Sequence, residues 1–216
     1  SKDNIPVLFH DYTLNTNMVK DKNGNWIDNF DLKIMDLTYD QISNYSIESL
    51  KPGSGYSDRF KNQKSVEGAK IPKLIDLFKL ANKENYKDVF LNLEVKSNPN
   101  LNDVTPEPKE MVTTILKDIK DYNLEDRIVV TSFDWRILYE LKKQNPNVLR
   151  GFLTLQQNLG STKKNIYENS PWISKTFSLE ELFLLPNIIK SIEGHVWSAF
   201  YRDITKQNVE LAHKHG

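Results

Sequence analysis

The chain contains no cysteine. Disulfides, thiolate nucleophiles and Cys-ligated metals are therefore excluded, and either a reducing or an oxidising compartment suits it. An excess of charge is missing too, because 29 Lys and Arg face 29 Asp and Glu. With no net charge, no long-range field draws it to nucleic acid or to an anionic membrane. No apolar run is long enough to span a bilayer, and the N-terminus has no signal-peptide pattern. There is no Gly-rich phosphate loop, no nucleophile elbow, no HExxH and no Walker pattern. What is there is a chain of 216 residues, enough for one sizeable core.

From Lys87 onward the pattern alternates between strand and helix. "DVFLNLEV", "RIVVTSF", "VLRGFLTL" and "HVWSAF" read as strands. Thr105-Pro106 reads as a helix start, followed by Met111, Val112, Ile115, Leu116 and Ile119 at helical spacing. Asp134 is placed to cap a helix with Trp135, Leu138 and Leu141 on its apolar face. Ser178 and Glu181 form a capping box for a helix running towards Lys190. Thr205 opens a last helix, with Gly216 as its C-cap. Such alternation implies a parallel sheet with helical crossovers.

The N-terminal third is different. A short strand "PVLF" opens the chain, and Asp11 to Lys70 follows as a polar stretch with one weak helical patch, Leu37 to Ile42. That is too long for an ordinary connection, so it is either functional or a small inserted subdomain. The amphipathic helix Leu74 to Leu80 comes next.

The polar positions of "LNLEVKS" carry the chemistry. Leu91, Leu93 and Val95 take one face, Asn92, Glu94 and Lys96 the other. In a βα barrel the outward side chains meet helices, and inward ones near the strand's C-terminal end face the active site. Two buried charges need partners. A metal ion for Glu94 and an anionic substrate for Lys96 would supply them; a half-exposed antiparallel strand would explain the same alternation without function. His10, at the end of "PVLF", is a candidate general acid or base, or a surface histidine. His195, His213 and His215 are weaker candidates. Trp197 and Tyr201 flank the fourth strand and are candidate pocket walls, or simple packing residues.

These residues sit in segments that resemble a known family. "SKDNIPVLFHDYTLN", "GAKIPKLIDLF", "LNLEVKS", "LEDRIVVTSFDWRIL" and "HVWSAFYRDITKQNVELAHKHG" are similar, in order, to segments of glycerophosphodiester phosphodiesterases. The last two segments resemble in particular a bacterial branch often exported to the periplasm. It implies a (β/α)8 TIM-barrel-type fold with a small insertion after the His-Asp motif, here residues 11–70, within one domain spanning 1–216. It also implies hydrolysis of glycerophosphodiesters to glycerol 3-phosphate and an alcohol with a divalent cation, Ca²⁺ or Mg²⁺. By position, His10 matches a catalytic histidine, Glu94 a metal ligand and Lys96 a phosphate contact. Trp197 or Tyr201 is expected as a wall of the same cleft.

The family's H-R-G and E-x-D motifs, and its last strand, have no counterpart in this sequence. The expectation is an internal piece lacking the first two strands and the last, with open sheet edges prone to self-association. Such a piece is expected to be inactive alone, with any signal region upstream and a periplasmic or secreted location. A non-catalytic phosphoester-binding barrel remnant and a lysophospholipase D-like enzyme are the competing readings. Asn15-Thr16 replaces the family's usual Arg-Thr, which leaves the alcohol open.

Overall fold

The computed structural model describes residues 1–216 except Asn102, Ser161 and Gly216. The chain divides into two compact units, residues 1–87 with 103–106, and residues 88–102 with 107–216.

The first unit is poor in regular structure. It holds a 3₁₀ turn at Ile34–Asp36 and helices α1 (Tyr39–Ser43), α2 (Gly55–Arg59) and α3 (Leu74–Ala81). Thr38 and Gln41 cap α1 reciprocally. Leu14, Val19, Ile27, Ile42 and Ile71 are buried together, with Phe9, Leu32 and Leu37 packed around them. This small core lets a polar stretch hold shape through isolated bridges such as Thr13 to Lys33 and Lys20 to Ser46. The expected strand at "PVLF" does not form. Only Val7 makes a bridge, to Lys73, flanked by Leu8 N to Pro72 O and Leu74 N to Pro6 O, each 2.9 Å. Pro6 lacks an N–H, and a strand needs a longer ladder than this neighbour supplies.

The second unit contains the sheet. Strands β1 (Leu91–Glu94), β2 (Ile128–Ser132), β3 (Leu149–Thr154) and β4 (Val196–Ala199) are parallel and lie in chain order. The helices between and after them are α4 (Pro108–Asp121), α5 (Trp135–Gln144), α6 (Leu179–Leu182), α7 (Leu185–Ser191) and α8 (Lys206–Lys214). One sheet face carries Ile128, Val130 and Phe152, all at most 1% exposed. Helix α5 packs on this face, and Trp135 meets Phe152 edge to face at 4.9 Å. On the other face Gly151 pairs with Thr131, whose methyl group would lie 2.5 Å from any Cβ at 151. Glycine there is a matter of space, not of backbone freedom.

Local chemistry explains where the elements begin. Asp134 caps α5 and Thr205 caps α8, as their sequence positions predict. Helix α4 starts two residues later than Thr105-Pro106 suggests: Glu107 is the N-cap and Pro108 the first helical residue. The chain offers two prolines, and a residue before proline is driven to extended backbone, so Pro108 holds Glu107 out of the helix and leaves Pro106 outside it. The helix opened by the Ser178–Glu181 box stops at Leu182 and restarts at Leu185. Pro186 forces the break, since it cannot donate to the carbonyl four residues back and its ring would clash there. The Gly216 cap lies outside the described residues, where the last capping position is His215.

Candidate active site

His10 belongs to the first unit; Glu94, Lys96, Trp197 and Tyr201 belong to the second. His10 follows the Val7 bridge and is exposed, its side chain at 75%. Its Nδ1 lies 2.8 Å from Asp11 Oδ1, and the other carboxylate oxygen accepts from Asn15 Nδ2 at 2.6 Å. The contact suits the tautomer that carries its proton on Nδ1. Asn15, which departs from the family pattern, thus orients the aspartate that orients the histidine.

Strand β1 shows the alternation its sequence predicts, with Leu91 and Leu93 half-buried and Asn92 and Glu94 exposed. Lys96 Nζ reaches back to Glu94 Oε1 at 2.7 Å. The two charges therefore satisfy one another, with side chains 25% and 34% exposed. A pair this open contributes little to stability, on the order of 1 kcal/mol at most. Its value lies in holding a cationic and an anionic group side by side. Asn92 Oδ1 accepts from Thr131 Oγ1 at 3.0 Å, which ties the same face of β1 to β2.

The segment after Lys96 is held by a buried polar cluster that no local motif announces. Ser97 Oγ donates to Asp134 Oδ2. Ser132 Oγ donates to Val95 O at 2.8 Å and accepts from Asp134 N at 3.1 Å. Arg136 grips Asp134 through Nε and Nη2 at 2.9 and 2.7 Å. Asp134 and Ser132 are fully buried. A buried carboxylate is tolerated because donors surround it. The sequence marks Asp134 as a cap; its second task, fixing Ser97 beside Lys96, requires knowing that positions 97 and 134 meet.

Register separates two residues that the sequence brings together as one cleft. Glu94 pairs with Thr131, Ser132 with Phe152, and Phe152 with Trp197. Neighbours on a strand point to opposite faces, so Trp197 lies on the face opposite Glu94. Its Nε1 donates to the buried Thr154 Oγ1 at 2.9 Å. Tyr201 is 66% exposed, edge-on to Phe200, with its hydroxyl accepting from Arg202 Nε at 2.8 Å.

A divalent cation asks for more than this. Calcium takes six to eight oxygens, and magnesium a near-octahedral set. Among the described residues no three His, Asp or Glu side chains come together as a metal site. Glu94 offers one carboxylate, engaged with Lys96. The described residues do not by themselves fit a cation.

Comparison with known proteins bears on the chain as a whole. Residues 1–216 match the profile of the Glycerophosphoryl diester phosphodiesterase family. A glycerophosphodiester phosphodiesterase of Caldanaerobacter subterraneus is 29% identical over 153 residues, 71% of this chain and 51% of that protein. The chain thus spans about half the length of this curated relative. A crystal structure from Silicibacter pomeroyi, assigned as a glycerophosphoryl diester phosphodiesterase, is 28% identical with a TM-score of 0.81, covering 100% of this chain and 67% of that one. An Oleispira antarctica phosphodiesterase, solved with the product sn-glycerol-3-phosphate, shares the fold at 21% identity and a TM-score of 0.52, over 99% of this chain and 72% of that one. The fold is of the TIM-barrel type, of which the described strands form a parallel, unclosed sheet. A family profile matched from end to end, over a fold shared with solved relatives, settles kinship: the chain belongs to the glycerophosphoryl diester phosphodiesterase family.

Proposed function

We propose that the whole protein hydrolyses glycerophosphodiesters to glycerol 3-phosphate and an alcohol. The observation that carries this reading is the family match over the full chain. The side-by-side Glu94 and Lys96 add chemical support. Lys96 offers its ammonium to the phosphate oxygens, where negative charge grows in the transition state. His10, with Asp11 on Nδ1, serves as general acid or base through Nε2. Tyr201 is exposed and suits a substrate contact. Dependence on Ca²⁺ or Mg²⁺ belongs to the same proposal, with Glu94 as one ligand. It needs further ligands besides those assembled among the described residues. Export to the periplasm is likewise proposed from the branch of the family that the sequence resembles.

The test is hydrolysis of glycerophosphocholine by the whole protein, with and without chelator. The expected outcome is cation-dependent release of glycerol 3-phosphate. Glu94→Gln should weaken cation affinity, with part of the rate restored by excess cation, whereas Lys96→Ala should not be restored. His10→Ala should lower turnover by about 10²–10⁴-fold. A nitrophenyl phosphodiester, whose leaving group needs no proton, should lose much less. Equal losses on both substrates would remove His10 from the acid role. Phosphoester binding without turnover in the whole, cation-loaded protein would overturn the hydrolase reading.

A further inference from the structure

A groove of about 550 Å³ lies beside the segments that leave the C-terminal ends of β1 and β3. Asn98, two residues past Lys96, lines it from β1; Asn158, Lys163, Lys164, Tyr167 and Trp172 line it from β3. In this fold type, substrate sites are built from the loops at that end of the strands.

The lining has a definite polarity. Asn98 Oδ1 accepts from Asn100 N, and Asn158 Oδ1 accepts from Lys164 N, each at 3.0 Å. With the carboxamide oxygens engaged in their own turns, Nδ2 is the end each asparagine has left to offer. Lys163 and Lys164 add two ammonium groups. No carboxylate appears among the described residues that line the groove. The groove is therefore rich in donors and matched to ligand oxygens. Two ammonium groups in the lining repel a further cation. Lys164 Nζ already stands 5.9 Å from the Tyr167 ring centroid, where a quaternary ammonium would have to sit.

The groove is also held in shape. Asn165, 2% exposed, accepts from Leu155 N at 2.7 Å and donates to Phe133 O and Leu153 O at 3.1 and 3.0 Å. Ser170 Oγ donates to Asn165 O at 2.6 Å, and Trp135 N to Trp172 O at 2.8 Å. The loop after β3 is thus fastened to the ends of β2 and β3.

Resting on the hydrolase reading, we propose that this groove receives the alcohol half of the phosphodiester and takes a polyol, uncharged or bearing its own phosphate, in preference to a cationic alcohol such as choline. The experiment compares kcat/KM of the whole protein for glycerophosphoinositol, a phosphorylated glycerophosphoinositol and glycerophosphocholine. The expected result is a preference of about tenfold for the polyol diesters, the worth of one or two added hydrogen bonds. Replacing both lysines (Lys163→Ala, Lys164→Ala) should cost the phosphorylated polyol most, the plain polyol less and choline least. Faster choline release in the wild type, or equal losses on all three diesters, would overturn the proposal. If none of the diesters is hydrolysed, the hydrolase reading fails, and calorimetric binding decides the groove. Tighter binding of glycerophosphoinositol than of glycerophosphocholine, lost in the double variant, supports it; equal affinities reject it.

Discussion

Asp134 shows how much can rest on one side chain. Replacing it with alanine would strand Ser97 Oγ and the guanidinium of Arg136, and leave the α5 N-terminus uncapped. A fully buried carboxylate with these partners should cost about 2–4 kcal/mol when removed. Chemical denaturation should register that as a lower midpoint. Asp134→Asn keeps one acceptor oxygen, enough for the cap that Oδ1 provides, and places an N–H donor opposite Ser97 Oγ, so it should recover part of the loss; identical midpoints for the two variants would reject this assignment. The cap was legible from sequence because Asp134 directly precedes an apolar helical stripe. The bond to Ser97 was not, since nothing local links residues 37 positions apart. Trp197 failed to be legible for a related reason. Its side of the sheet depends on the register of three strand pairs, which local alternation cannot supply.

Among the elements, those that write their own ends were read closely. Helices α3, α5 and α8 begin within a residue of their predicted starts, because cap and apolar face agree there. Where two signals compete, reading fails. Pro106 and Pro108 both suit a first helical turn, but Pro108 keeps the residue before it extended, so the helix starts at the later one. The Ser178 box and Pro186 both act on one apolar run, and the proline breaks it between Leu182 and Leu185. The strand "PVLF" lacks an element to pair with beyond a single bridge. At this scale the loop after β3 makes the sharpest test. Asn165→Ala would leave Leu155 N, Phe133 O and Leu153 O without their side-chain partner. About 2–4 kcal/mol should be lost from two or three unmet buried groups. Hydrogen exchange should quicken first at the Leu155 amide, while β2 stays protected. Uniform quickening across the sheet would instead mean global destabilisation.

For the whole molecule, two features act together. The formal net charge is zero and the sequence pI is near 6.9, so copies do not repel one another at neutral pH. In the described sheet, β1 and β4 each have a strand neighbour on one side only. Val196 on β4 is 38% exposed, and Phe90 just before β1 is 51% exposed. Edges of this kind invite pairing between copies. We expect self-association of this chain to peak near pH 7 and to weaken as the pH moves two units either way. Light scattering after size exclusion measures it, and a monomer at every pH would reject the expectation. The change of character at Lys87 was legible, since strand and helix alternate from there onward, whereas the return of residues 103–106 to the first unit was not. Among the described residues no helix is long and apolar enough to cross a membrane, in keeping with the absence of long apolar runs in the sequence.

The fastening of the loop after β3 by Asn165 has an evolutionary consequence. One buried carboxamide does the anchoring, while the residues that would meet a ligand at 162–164 and 167 lie on the exposed or half-buried side. Anchor and recogniser are thus separate genetic targets. Selection can rewrite what the loop recognises without disturbing what fastens it. Preference for one alcohol over another then becomes a trait that diverges between near relatives sooner than the chemistry at phosphorus, and one that can be transplanted by exchanging a handful of codons.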